Sequence, residues 1–363
     1  MKTKFTQKQI QAGRALIAQN AQNLANVLAT ERMLDRQLVA SENDGTIKPG
    51  EVYLANESVF QQQYFDEPAT LYAVGWRDPS NIEDALEFFA PQVSVPRRFT
   101  YKEFTNIEEF LSDGANDDLR AIGAEFPTVK YTGTETHART DNRGLRIRID
   151  LDEVADPTSA LAGGLPVYQA RAVEKLRRRL NRNSLRRSIA LLSAAATNTA
   201  KTWDTTAGKD PDQDVLTDLV TGATARGMRS NRIGYGETAW TKRGLSLRAQ
   251  NTAGGYASAS LTPEALAMLL GIDQVHIDHA RYSASGAALA EIVNNLVLMF
   301  FALSGADVED ASNIKRFTSP VEGGGPVRVY VQQVTSKLVD ITVEHYELIK
   351  VTSTLGIRKF TVS

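Results

Sequence analysis

A long helical segment, residues 165–199, restricts the fold of this chain more than any other part of the sequence. A pair of glycines precedes it, and Pro166 suits the first turn of a helix. The predicted helix runs from Pro166 to about Asn198, which is about 48 Å at 1.5 Å per residue. Its apolar stripe consists of Val167, Ala170, Val173, Leu176, Leu180, Leu185, Ile189 and Leu192. The stripe changes phase between Leu180 and Leu185, which predicts a slight bend or a change of packing partner.

The same segment is strongly basic, with a net charge of +7 between Arg171 and Arg187. The candidate functional side chains of this basic face are Arg171, Lys175, Arg178, Arg179, Arg182 and Arg186. They could contact nucleic-acid phosphates without reading sequence. Alternatively, they pair with residues 51–90, of the same or a neighbouring subunit, whose net charge is −7. Pairing is favoured, because uncompensated like charges along one helix repel.

Composition excludes several classes of protein. The 41 basic and 43 acidic residues give a net charge of −2, so the whole chain is not a basic nucleic-acid coat. The chain has no cysteine, which excludes disulfide frameworks, thiolate metal sites and cysteine nucleophiles. The apolar run 296–303 is far shorter than the roughly 20 residues that a bilayer requires. The first 20 residues lack the apolar core of a signal peptide, so we expect a protein that is not secreted.

The first 40 residues predict a further helix. Ile10, Ile17, Leu24 and Leu28 recur at steps of seven and four and form one apolar stripe. That stripe must be buried, either against the same chain or as an arm on a neighbouring subunit.

Two alternating segments, 127–138 and 145–151, predict long β-strands. The turn-forming residues 139–144 lie between them, so we expect a hairpin. Its first strand carries a row of threonines and Lys130 on one face, which suits a projecting hairpin better than a core.

Residues 210–318 predict alternating short helices and strands. Asp210 and Pro211 have the order of a helix cap and a first-turn proline, and Gly227 ends that helix. A second helix begins after Thr262, and residues 295–303 predict a buried strand. The glycine- and serine-rich stretch 254–260 predicts a flexible loop. Residues 327–351 then predict long antiparallel strands.

Few residues suggest catalysis. His276, Asp278 and His279 could ligate a metal if they lay on a helix, but their neighbours predict a strand, on which His279 points away from the other two. The chain has four histidines, which is sparse for acid–base chemistry at neutral pH. We therefore expect no catalytic residues, no metal and no cofactor.

The order of these elements resembles that of the tailed-bacteriophage major capsid proteins, over about residues 85–363. Residues 89–101 are similar to the strand that precedes the family's extended hairpin, the E-loop. Trp203 followed by Asp210 and Pro211 is similar to the entry into its axial domain. Residues 261–278 and 340–350 are similar to a helix-then-strand unit and to the last strand of the peripheral domain.

The resemblance implies an α+β phage capsid fold: an N-terminal arm, an extended E-loop hairpin, a peripheral domain with a long spine helix and long antiparallel strands, and an α/β axial domain. The implied segments are 1–90 (arm and pre-arm region), 91–151 (strand and E-loop), 152–209 (peripheral domain with the spine helix), 210–318 (axial domain) and 319–363 (closing peripheral strands). The implied inter-subunit contacts of the E-loop are Lys130, Arg139, Asp141, Asn142 and Arg143.

The resemblance further implies a structural, non-enzymatic subunit that assembles as hexamers and pentamers into an icosahedral capsid around double-stranded DNA. Its partners would be further copies of itself, packaged DNA bound non-specifically, and portal, scaffolding or decoration proteins, with no membrane. It would be assembled in the host cytoplasm and reside in the virion. Two alternatives remain: an encapsulin-like shell around protein cargo, which shares this fold, and a nucleic-acid-binding enzyme.

Overall fold

The structure is a computed structural model that describes most of the chain from Tyr64 onwards. The described residues are 64–104, 119–120, 125–126, 134–152, 154, 164–284, 286–321 and 325–363. The predicted N-terminal helix and Lys130 lie outside these ranges. Within them, no helix is long and apolar enough to cross a membrane.

The helices range from short turns to one dominant element. They are α1 (Glu67–Gly75), α2 (Ile82–Phe89), α3 (Gly164–Ala195), α4 (Pro211–Arg226), α5 (Glu237–Ala249), α6 (Ala253–Ala259) and α7 (Pro263–Leu270). The predicted caps of α4 are confirmed: Asp210 accepts hydrogen bonds from the backbone N–H groups of Asp212 and Gln213, and Gly227 ends the helix at a φ of 88°.

The strands are β1 (Gln92–Ser94), β2 (Arg98–Glu103), β3 (Thr134–Arg139), β4 (Asp141–Asp150), β5 (Thr197–Lys201), β6 (Arg232–Gly236), β7 (Gln274–Asp278), β8 (Arg281–Tyr282), β9 (Ala290–Glu291), β10 (Leu296–Phe300), β11 (Ile314–Ser319), β12 (Arg328–Gln333), β13 (Leu338–Val351) and β14 (Arg358–Val362). Helices and antiparallel strands occur together, as the α+β prediction requires.

The chain forms two compact units. The first contains the described residues up to Asp78, together with 142–180 and 320–346, and the second contains 79–141, 181–319 and 347–363. The five predicted domain segments stay a prediction, and these units group the chain differently.

In the first unit, β13 pairs with β12 and with β4. Valines of these strands pack with Val173, Leu176 and Leu180 of α3 in one buried cluster. Arg148 of β4 makes a bidentate contact with Asp340 of β13, at 2.7 and 2.9 Å. That contact holds the pKa of Asp340 below its usual range. The chain before α1 adds to β12, since the Asp66 N–H donates to the Val329 carbonyl.

The second unit contains a sheet in the order β5-β14-β10-β6-β7. Its middle strand, β10, is buried on both faces: Leu298 and Phe300 pack in one cluster, and Val297 and Met299 in another. Burial on both faces explains why this strand reads as one continuous apolar run. The predicted buried strand is therefore confirmed.

The change of phase in α3 corresponds to a change of packing partner, as predicted. Leu176 and Leu180 belong to the core cluster of the first unit, whereas Leu185 and Leu192 belong to a cluster of the second.

The predicted hairpin between residues 127–138 and 145–151 is wrong. Within the described residues β3 pairs antiparallel with β2, and β4 pairs with β13. Residues 139–144 are not a turn, because β4 already begins at Asp141. Their glycine serves a close approach, since a Cβ on Gly144 would lie 3.0 Å from the Val343 carbonyl oxygen.

The predicted loop at 254–260 is also wrong, because these residues form most of α6. Thr252 caps this helix by accepting from the Gly255 N–H at 3.0 Å. A Cβ on Gly255 would lie 2.5 Å from the Leu247 carbonyl oxygen. The small residues that predicted flexibility therefore permit close packing on α5.

Two glycines of α5, Gly236 at its N-cap and Gly244 inside it, provide a matched test of close backbone packing. A Cβ on Gly236 would lie 1.6 Å from the Asn294 carbonyl oxygen, whereas one on Gly244 would meet nothing within 4 Å. We expect Gly236→Ala to lower the free energy of unfolding by about 3 kcal/mol or more. Gly244→Ala, inside a helix, should raise it by about 0.5–1 kcal/mol. Urea denaturation of both variants measures this, and equal effects would contradict the packing described.

Candidate assembly surfaces and the basic helix

The β2–β3 hairpin is fixed at its base by aromatic packing. Tyr101 is buried, and the rings of Phe99 and Tyr101 lie 4.7 and 5.3 Å from the ring of Phe317 on β11. The Tyr101 hydroxyl donates to Glu103 at 2.6 Å. Burial and this carboxylate raise the pKa of Tyr101. The inner face of the hairpin is therefore packed against β11 of the same unit.

The outer face of the hairpin is polar and exposed. The exposed residues of β3 are Thr134, Glu135, His137 and Arg139. Arg139 lies directly opposite Arg98 in the register. Like charges in that position repel, so the pair costs the isolated subunit stability. Within the described residues this sheet has two strands, and no further strand pairs with β3. Directly after β2, the Phe104 N–H donates to the Thr352 carbonyl at 2.8 Å.

The predicted E-loop contacts do not form one cluster on this hairpin. Arg139 lies on it and is exposed. Asp141, Asn142 and Arg143 instead begin β4. Asn142 donates from Nδ2 to the Glu344 carboxylate at 3.1 Å and to the Tyr346 hydroxyl at 3.3 Å, so it is engaged with β13.

One arginine of α3 pairs with an acid of residues 51–90, as predicted for the basic run. Nε of Arg178 lies 3.3 Å from Oδ1 of Asp78, whose side chain is fully buried. The Arg178 guanidinium also lies 5.6 Å from the centre of the Trp76 ring. Glu174 accepts a hydrogen bond from the Tyr72 hydroxyl. Residues 64–78 therefore supply acidic and aromatic partners to this helix.

Further along α3, the acidic partner of Arg187 does not come from residues 51–90. Arg187 donates to Glu347 of β13 at 2.6 Å, and Ser184 donates to the same carboxylate at 2.9 Å. Glu347 is 2% exposed. Glu83, which belongs to the acidic segment, instead accepts from the Asn181 amide at 2.8 Å. Sequence reasoning missed Glu347, because it lies 160 residues from Arg187 in the chain.

Most of the other basic residues of α3 are exposed. Arg171, Lys175 and Arg179 are exposed, and no acidic partner is found for them among the described residues. Arg186 is also exposed, with its guanidinium 3.7 Å from the centre of the Tyr282 ring, and Arg182 is half-buried. The basic run therefore contains arginines that pair with acids and other cations that are exposed.

His276 and Asp278 lie on β7, the strand that the sequence predicts. The described residues contain no group of three or more His, Asp or Glu side chains placed to hold a metal. The His276 ring packs 5.0 Å from Phe88 and 5.9 Å from Phe89. Burial lowers the pKa of His276 to about 4 and raises that of Asp278 to about 6.

No family model matches this sequence, and no curated protein matches it. Solved structures do match. A phage-related protein from Bordetella bronchiseptica has a TM-score of 0.59 and 16% identity, over 82% of this chain and 96% of that one. A virus-like particle from Pyrococcus furiosus has a TM-score of 0.42 and 10% identity (77% and 96%), and the capsid of cyanophage P-SCSP1u has 0.41 and 10% (75% and 85%).

The match to the Bordetella protein shows a shared fold. The predicted α+β fold is confirmed, and it is shared with a protein described as phage-related.

Neighbouring arginines of α3 give a matched pair of variants. Arg178→Ala removes the cation beside the buried Asp78 carboxylate, and we expect it to lower the free energy of unfolding by about 3 kcal/mol. Arg179→Ala alters an exposed side chain and should change it by less than about 0.5 kcal/mol. Thermal and urea denaturation of both variants checks this. Similar values for the two would show that the Asp78 contact does not stabilise the helix.

The opposed pKa shifts of His276 and Asp278 predict opposed pH dependences. The unfolded state binds the extra proton at His276 between about pH 4 and 6.5, so this residue makes stability rise with pH. The folded state binds it at Asp278 between about pH 3.8 and 6, so this residue makes stability fall. Relative to the wild type, Asp278→Asn should therefore gain stability as pH rises from 4 to 6.5, and His276→Phe should lose it. Denaturation at several pH values tests this, and two flat difference curves would contradict it.

Proposed function

We propose that this chain is a structural, non-enzymatic subunit that assembles as hexamers and pentamers into an icosahedral phage capsid around double-stranded DNA. The observation that carries the proposal is the β2–β3 hairpin, with a base anchored by Phe317 and an exposed, polar outer face. The capsid-type fold supports it, as does the shared fold of a protein described as phage-related.

The edge of β3 supports self-association, because no further strand pairs with it among the described residues. A two-stranded sheet is marginal alone, and unpaired edges invite pairing with another chain. A shell subunit must hold several neighbours at once, and a hairpin with one packed and one exposed face is suited to this. The repulsion between Arg98 and Arg139 costs the isolated subunit stability. An acidic group on a neighbouring copy would relieve it.

The proposal includes further partners and a location. The subunit would be made in the host cytoplasm and reside in the virion, with portal, scaffolding or decoration proteins as partners. An encapsulin-like shell around protein cargo is the alternative outcome of the same test.

Negative-stain electron microscopy and size-exclusion chromatography of the purified full-length chain test assembly directly. We expect uniform shells, or pentamers and hexamers that elute at several hundred kilodaltons. Mass spectrometry and nucleic-acid staining of shells from host cells would identify the contents. Shells that hold one protein and no DNA would support the encapsulin alternative. A monomer at every concentration and salt, with scaffolding protein added, would contradict both.

Arg139→Glu separates assembly from folding. The new carboxylate would lie opposite Arg98, so the subunit should keep its stability or gain roughly 0.5 kcal/mol. Assembly should nevertheless decrease, because the exposed face of the hairpin changes sign. Arg248→Glu makes the same charge change at an exposed position at the end of α5 and serves as the control. If Arg139→Glu assembles as well as Arg248→Glu, the outer face of the hairpin is not the contact.

A further inference from the structure

Three exposed side chains of α3 form a row of positive charges. Arg171, Lys175 and Arg179 are exposed and recur every four residues. Successive charges therefore lie about 6 Å apart along the helix axis, and the row is about 12 Å long. Arg171 is further ordered by the Tyr168 ring, 5.9 Å from its guanidinium.

Nothing described in the structure compensates this row. The one acidic residue of this stretch, Glu174, accepts a hydrogen bond from the Tyr72 hydroxyl. Among the acids that contact the helix, Asp78 and Glu347 are bound to Arg178 and Arg187, and Glu83 accepts from the Asn181 amide. Like charges four residues apart each cost a helix a few tenths of a kcal/mol. Arg178 and Arg187 have acidic partners within the fold, whereas Arg171, Lys175 and Arg179 have none among the described residues.

We infer that Arg171, Lys175 and Arg179 bind the phosphate backbone of packaged nucleic acid without reading its sequence. The inference rests on the proposed shell function and names the surface that would contact its contents. An exposed row of cations suits a regular polyanion, because duplex DNA carries about seven charges over 12 Å of its axis. Arginine can contact a phosphate through two N–H groups, and lysine acts as a point charge. No side chain of the row is placed to select a base.

The test compares two double variants of the full-length, unassembled chain. Lys175→Gln/Arg179→Gln removes two charges of the row. Arg248→Gln/Lys350→Gln removes two exposed charges from the second unit and serves as the control. The probe is a fluorescent 30-base-pair DNA duplex of random sequence, bound at 50–300 mM NaCl. Shell formation is measured separately by electron microscopy.

Each lost phosphate contact reduces the slope of log K against log salt by about 0.9. The helix variant should therefore lose about 1.8 from this slope, and roughly 60-fold in affinity at 0.1 M salt, while the control keeps the wild-type slope. Equal slopes for all three proteins, or no duplex binding by the wild type at 50 mM salt, would overturn the inference.

The two readouts distinguish this inference from the proposed function. Shells that form normally, with no change in duplex binding, would leave the shell function intact and remove this surface from it. A reduced slope in a chain that never assembles would support the nucleic-acid surface and contradict the shell. A helix variant that loses assembly but keeps duplex binding would overturn the inference, because the row would then pair with an acidic protein surface.

Discussion

The burial of two apolar stripes on one helix underlies the rest of the structure. Leu176 and Leu180 of α3 pack in the core of the first unit, and Leu185 and Leu192 pack in a core of the second. A fully buried leucine contributes about 1.5–3 kcal/mol, so both cores depend on this element. Because the apolar residues of α3 are committed to these contacts, the surroundings of each charged residue depend on its place along and around the helix.

That constraint gives the basic run two roles. Arg178 and Arg187 contact the buried carboxylates of Asp78 and Glu347. A buried carboxylate without a cation would be costly, so these two arginines serve the fold. Arg171, Lys175 and Arg179 are exposed and have no acidic partner among the described residues. One stretch of sequence therefore supplies both internal pairing and an exposed surface.

The hairpin shows a similar division between its two faces. Phe99 and Tyr101 hold it against Phe317, whereas its outer face is exposed and carries the unfavourable Arg98–Arg139 pair. Stability of the isolated subunit would favour opposite charges there. The hairpin and the row formed by Arg171, Lys175 and Arg179 share this property, because no acidic partner is found for these cations among the described residues. In the proposed shell, such surfaces would meet other copies or the contents.

The sequence by itself determined the long helix, its change of packing partner, the caps of α4 and the buried strand β10. These depend on local spacing and on capping residues, which act within a few positions of each other. Only the tertiary structure decided that β3 pairs with β2, that residues 139–144 continue a strand, and that stretch 254–260 is helical. It also decided which arginines have acidic partners. Those outcomes depend on contacts between residues far apart in the chain, such as Glu347 with Arg187, which no local pattern records.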